Sequence, residues 1–533
     1  MDNTKDILDY WEFDYEPRDS QVTALNWLAE QDAKYLILEA PVGSGKSNIG
    51  ITYSKYLGQR TDKGDSFILT PQRILQKQYD DSFSDIESVN LVPLYGKGNY
   101  TCADKNASCD IGSIVKPRCE SCPHTKAKDA ARLASNTVLN YKLALTSFDY
   151  TDTFKMRKLM VMDECHTLES HLVDFDAVKI QEWFSKKHKL PFKKQTSLSA
   201  AIQWLKDYYI DDLTETLEAL RYEIGHLMDK MGSELTRKEI KRIREVESFA
   251  DHVDEINLLI LKTDDYVNEH FVLVNDLISF KFKRLKGSYS FNRILKPKGQ
   301  RFLFMSSTVL DKNGFCRDLG IPIEETAFLS LDSDFPVENR QVYYMPQMKM
   351  NYKWNDVSNA KARKVMANTI ETLCQAHHND SGIIHTANFA IASWVVNQLE
   401  GCIPQKIFHH NPDSELDRND VINEFMEYQS PGVLVSPSST EGLDLKYDLG
   451  KFAIFAKVPY GYLGDQWIKK RMDMSNEWYR RQAMINIIKG GGRIVRAGDD
   501  EGSVYILDES FAYLYKQSSR IVPQWWKDAY VVI

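Results

Sequence analysis

Gly43-Ser44-Gly45-Lys46-Ser47, Asp163-Glu164-Cys165-His166 and Gly492-Arg493-Ile494-Val495-Arg496 are the three stretches whose residue types could do chemistry together. A glycine-rich turn that ends in lysine and serine cradles phosphates with backbone N–H groups. In that reading Lys46 contacts the β- and γ-phosphates and Ser47 ligates Mg²⁺. An Asp-Glu pair divides two tasks: Asp163 holds the metal, and Glu164 orients and deprotonates a water. Arg493 and Arg496 could neutralise charge that develops on a transferred phosphoryl group. The set describes hydrolysis of a nucleoside triphosphate.

Each motif needs an element to aim it. Tyr35-Leu36-Ile37-Leu38 has the continuous apolar character of a buried strand, and residues 48–57 look helical. Strand, tight turn and helix N-terminus together point N–H groups at one anion. Leu159-Met160-Val161-Met162 is a second buried strand, so the acidic pair falls at a strand's carboxyl end, where open parallel sheets hold ligands. Cys165 reads as a tolerated small residue and not as a nucleophile.

Four of the eight cysteines gather at Cys102, Cys109, Cys119 and Cys122, bordered by glycines and Pro117. Without a secretion signal such a group binds metal more often than it forms disulfides. Thiolate spacing alone does not separate zinc from an iron–sulfur cluster. The remaining bulk properties exclude more than they select. A chain of 533 residues, 43 % apolar, has room for three or four domains of roughly 150 residues. Its net charge of −8 argues against a wholly basic nucleic-acid coat. No run of about 20 apolar residues predicts a membrane span. A cytoplasmic protein, bacterial or in a host cell, is expected.

Between Asp163 and Ser306 the chain is longer than one sheet-and-helix half requires. Leu198, Ile202, Leu205, Tyr209, Leu213, Leu217, Leu220, Ile224, Leu227 and Met231 recur at helical steps up to Gly232-Ser233. A second stripe runs from Ile240 to Ile260, which predicts an antiparallel helical insertion with its own core; a coiled-coil arm fits the irregular spacing less well. Beyond it, Lys281 through Arg301 carries no acidic residue and includes Tyr289 and Phe291. Cations with interleaved aromatics suit a single strand of nucleic acid.

In this order EAPVGSGKS, DECH, Ser306-Ser307-Thr308, SPSSTEGLDL (436–445) and GRIVR resemble superfamily 2 helicases. GKGNYTC ending at Cys102, Val138-Leu139-Asn140-Tyr141, DFPVENRQVYY and KVPYGYL narrow the resemblance to the iron–sulfur branch typified by XPD and DinG, with phage- or bacterium-like compactness. It implies an α/β fold of two RecA-like parallel-sheet motor domains, the first interrupted by a cysteine-rich cluster knob and an all-helical arch. The implied boundaries are 1–95, 129–175 and 286–335 for the first motor domain, 96–128 for the knob, 176–285 for the arch and 336–533 for the second motor domain.

The implied activity is ATP-dependent helicase or translocase movement on single-stranded DNA, 5′→3′, with forked or branched DNA as partner, RNA not excluded, and a monomeric chain. DNA repair and replication are the implied settings. Arg18 and Gln21 match an upstream element that contacts adenine or orders the phosphate loop. Gly43, Ser44, Gly45, Lys46 and Ser47 match the nucleotide loop, and Ser306 and Thr308 the segment that couples it to the strand. Glu441, Gly442 and Asp444 match a motif near the ribose and domain interface. Arg493 and Arg496 match arginines that reach the γ-phosphate. The four cysteines match [4Fe–4S] ligands, with zinc the alternative. Lys489 stands where the family usually carries glutamine, replacing a donor-acceptor amide with a point charge. That change favours a second class, an ATP-clamped binding or sensing protein; a metabolic P-loop kinase has no use for EGLDL or GRIVR.

Overall fold

The computed structural model describes residues 6–58, 65–103, 108–109, 121–228, 236–263, 271–276, 278–410, 418–437, 445, 447–495 and 498–533. Cys119, Glu441, Gly442, Asp444, Arg496 and the Gly232-Ser233 break lie outside them.

The first sheet is built from strands β1 (Tyr35–Glu39), β2 (Ser66–Thr70), β3 (Leu91–Pro93), β4 (Asn136–Asn140) and β5 (Arg157–Met162). Two later strands complete it, β9 (Gly299–Ser306) and β10 (Thr326–Ser330). They run parallel in the order β10-β1-β9-β5-β2-β4-β3. All five residues of β1 and of β2 are buried, as strands covered by helices on both faces must be. This order decides where the chemistry sits. β9 returns from the insertion to pair between β1 and β5, with Glu39 level with Ser306 and Met162 level with Phe304. The phosphate loop, Ser306-Ser307-Thr308 and the acidic pair therefore leave three neighbouring strands at one edge.

A second parallel sheet contains β11 (Val342–Met348), β12 (Gly382–His385), β13 (Lys406–His409), β14 (Gly432–Ser436), β15 (Phe452–Phe455), β16 (Ser503–Asp508) and β17 (Tyr530–Val532), ordered β13-β14-β12-β15-β16-β11-β17. Two seven-stranded parallel sheets with helices are the expected pair of RecA-like motor domains.

The insertion is helical along most of its length, but it is not all-helical. Helices Ile210–Met228 and Arg237–Thr263 bury Leu213, Leu217, Leu220 and Ile224 against Ile243, Val246, Phe249 and Val253. Arg242, early in the second helix, pairs at 3.1 and 2.7 Å with Glu223, late in the first. The base of the insertion is a three-stranded antiparallel sheet, β6 (Val178–Gln181), β8 (Ser279–Arg284) and β7 (Phe271–Asn275). Its signal is a period of two: Phe271 and Leu273 on β7, and Phe280 and Phe282 on β8, are buried while Val272 and Lys281 between them are not. Among the described residues no helix is long and apolar enough to cross a membrane.

Candidate active site

The turn after β1 takes its shape from two left-handed glycines, Gly43 at φ 78° and Gly45 at φ 72°. A Cβ on Gly45 would stand 2.2 Å from Gln21 Nε2. That amide donates to Ser44 O at 3.1 Å, and Gln21 Oε1 accepts from Arg18 N at 2.9 Å. Arg18 Nη2 in turn donates to Gly43 O at 2.6 Å. Arg18 and Gln21 thus tie down the carbonyls of the turn from outside. Lys46, the first residue of helix Lys46–Gly58, donates to Ala40 O at 3.1 Å and Pro41 O at 3.0 Å. Its ammonium is folded back over the mouth of the turn. The buried Ser44 hydroxyl has no partner among the described residues.

Asp163 closes β5 and is buried. Tyr79 donates to its Oδ2 at 3.2 Å and also lies within reach of the Ser47 side chain. Tyr141 donates to the Asp163 carbonyl at 2.6 Å. Burial and the adjacent Glu164 push the Asp163 carboxyl up to about 6, against the pull of Lys46. A buried carboxylate beside a serine hydroxyl is a hard-oxygen donor set that fits Mg²⁺. Glu164 occupies the left-handed region at φ 49°, ψ 43°, which costs a non-glycine residue roughly 1–2 kcal/mol. Burial would raise its carboxyl. The Lys489 ammonium and His166 outweigh burial and hold it well below the ordinary carboxylate range. Burial pushes the Cys165 thiol well up, as befits a packing residue.

His166 Nδ1 lies 3.3 Å from Glu164 Oε2 and 3.1 Å from Ser306 Oγ. The acidic pair is thereby linked to the end of β9, where Ser307 and Thr308 carry buried hydroxyls without a partner among the described residues. Glu39, which the sequence reading passed over, fixes the turn that follows. Its Oε2 accepts from Val309 N at 2.7 Å and Leu310 N at 2.6 Å, and its Oε1 from Ser330 Oγ at 2.9 Å. A charged residue ending an otherwise apolar strand was the available signal.

The second motor domain completes the site from across a cleft. Helix Asn476–Gly491 carries Lys489 in its last turn, and the Lys489 ammonium pairs with Glu164 Oε2. At Gly492 an added Cβ would lie 3.4 Å from Val42 Cγ2, so the turn bearing Arg493 abuts the phosphate loop. Arg493 is buried; burial and its charge pull His385, at the end of β12, down to about 3. The elements that carry Lys46, Glu164 and Arg493 therefore meet.

The cysteine group is only partly within the described residues. Cys102 and Cys109 are buried, and the Cys109 and Cys122 sulfurs lie 4.0 Å apart. Among the described residues no group of three or more metal-binding side chains is complete enough to hold an ion.

The basic stretch is partly engaged within the fold. Lys283 pairs with Asp174 at 2.9 Å and Arg284 with Asp176 at 3.1 Å. Arg293 bridges Asp149 and Asp176. Lys298 donates to Phe154 O at 2.7 Å, and Arg301 to Ala33 O at 3.0 Å and Tyr53 at 2.9 Å. Phe291 is core, and Tyr289 lies under the Arg284 guanidinium at 3.7 Å. Lys283, Arg284 and Arg293 thus tie this stretch to aspartates more than a hundred residues upstream.

Residues 370–529 match the helicase C-terminal domain family, and residues 14–193 match the family described as type III restriction enzyme, res subunit. An XPD helicase superposes with a TM-score of 0.62 at 14 % identity, covering 97 % of this chain and 100 % of its own. An apo XPD structure gives 0.58 at 16 % and Xpd4 of S. tokodaii 0.55 at 13 %, with the same coverage. No curated protein matches in sequence. These structural likenesses are likenesses of fold. The two family matches support an ATP-dependent helicase and imply ATP and Mg²⁺; the XPD structures share its fold.

Proposed function

We propose that the protein is an ATP-driven helicase or translocase on single-stranded DNA, travelling 5′→3′ and acting on forked or branched duplex. The observation that carries this reading is the meeting of Lys489 and the Gly492-Arg493 turn with Glu164 and the phosphate loop across the cleft.

The backbone N–H groups of Gly43, Ser44 and Gly45, with Lys46, bind the triphosphate. Ser47 and Asp163 would hold Mg²⁺, which shields the phosphate charge. Glu164 takes a proton from water as the water oxygen bonds to the γ-phosphorus, and the bridging oxygen leaves with ADP. Arg493 and Arg496 stabilise the charge on the phosphoryl group. Arginines supplied this way contribute roughly 10³–10⁵ in rate. Glu441, Gly442 and Asp444 serve the ribose and the domain interface. Closure and reopening of the cleft alternate the grip of two domains on one strand. Cys102, Cys109, Cys119 and Cys122 would hold a [4Fe–4S] cluster, which stabilises the knob as a wedge. Boundaries near residues 95, 128, 175, 285 and 335 separate the working parts.

Lys489 at the position where the family usually carries glutamine favours a second reading, an ATP-clamped sensor that hydrolyses without unwinding. Unwinding of a forked duplex, measured beside ATPase stimulated by single-stranded DNA, single-stranded RNA or duplex, separates them. Strand separation with stimulation by single-stranded DNA is expected; hydrolysis without strand separation favours the clamp.

A further inference from the structure

Glu164, the residue to which the proposed function assigns the water's proton, is already engaged from two sides. The Lys489 ammonium and His166 Nδ1, at 3.3 Å, both converge on Oε2. The two contacts come from different places: Lys489 from the last turn of a second-domain helix, and His166 from a first-domain segment also bound to Ser306. A carboxylate oxygen already occupied by an ammonium and an imidazole is not free to accept from a water. The Lys489 contact is nonetheless not locked, since its side chain is 14 % and that of Glu164 26 % exposed. A lysine ammonium is a point charge on a flexible stem and moves to the stronger anion within reach. A γ-phosphate on the loop beside Lys46 is such an anion, with more charge than one carboxylate. A diphosphate lacks it.

We propose that Lys489 is a triphosphate sensor: its ammonium holds Glu164 away from water until the γ-phosphate of a bound nucleoside triphosphate draws it off. This rests on the hydrolytic reading above. Lys489 acts through Glu164 and is a positioning residue.

The test measures the affinities of the full chain, with Mg²⁺, for a non-hydrolysable ATP analogue and for ADP. In Lys489→Gln the preference for the triphosphate over ADP should fall about tenfold, within the usual range of coupling between sites. Lys489→Arg, which keeps the charge, should retain the wild-type preference. An unchanged preference, or equal weakening of both nucleotides in Lys489→Gln, overturns the sensor. A thermal double-mutant cycle with Glu164→Gln reads the pair without turnover: non-additivity of about 2 °C or more is expected, and additive shifts overturn it. Absence of any strand-stimulated ATPase in the wild type is a different result and defeats the hydrolytic reading itself.

Discussion

Arg471 of the second motor domain places Nη2 2.8 and 3.1 Å from the two carboxylate oxygens of Glu169 and 2.8 Å from Asp318 Oδ1, both on the first. Arg481 reaches the same aspartate, and Trp478 Nε1 donates to Glu169 Oε2 at 3.3 Å. Arg471 is 3 % exposed. Glu169 and the buried Asp318 thus meet two arginines across the domain junction.

Removing one partner of such a cluster leaves uncompensated charge. Arg471→Ala should lower stability by about 3–5 kcal/mol, read by urea denaturation. A loss below about 1 kcal/mol would mean the junction is solvated and loosely held.

The same cluster predicts a pH dependence. Burial and Asp318 push the Glu169 carboxyl up to about 7, against the pull of Arg471 and Arg481. A carboxyl raised above its unfolded value, near 4.3, binds a proton in the folded state that the unfolded chain has released. Its contribution is therefore fully present below about pH 4.3 and is lost as pH rises through about 7. Relative to Glu169→Gln, the wild type should gain on the order of 1–2 kcal/mol between pH 7.5 and 5.5. A difference that is flat, or of opposite sign, contradicts this ionisation.

Gly314 is the close-approach point of the junction. A Cβ there would lie 1.6 Å from Arg481 Nη1 and 2.3 Å from Asp311 Oδ2. Gly314→Ala should displace the arginine and lower stability by about 1–3 kcal/mol, with reduced ATPase coupling. Unchanged melting and turnover would show that Arg481 has room elsewhere.

For the knob, the proposed [4Fe–4S] cluster predicts that gentle purification yields a brown protein containing iron. A colourless protein with stoichiometric zinc contradicts the cluster and leaves the motor untouched.

Local chemistry was legible in the chain; long-range pairing was not. Tyr35–Leu38 and Leu159–Met162 announced buried strands, since continuous apolar runs beside turn residues have few other uses. The facing stripes of the insertion announced their helices. The sheet at its base escaped because β7 and β8 are short and their alternation competes with a strong helical period nearby. Lys281–Arg301 showed its charge but not its partners: Asp149, Asp174 and Asp176, which pair with Lys283, Arg284 and Arg293, lie far upstream. Arg471 and Glu169 lie 302 residues apart, and neither sits in a motif. Lys489 was visible as a departure from glutamine, yet its contact with Glu164 emerges only when the two sheets are placed together.

The central claim is that both motor domains act on one triphosphate. Its most direct test is steady-state ATP hydrolysis on saturating single-stranded DNA for wild type, Lys46→Ala and Arg493→Ala. Loss of about 100-fold or more in Lys46→Ala, and roughly 10³-fold in Arg493→Ala with the fold retained, is the predicted result. Full turnover in Arg493→Ala beside a dead Lys46→Ala would show that the first domain works alone, and would contradict the shared site.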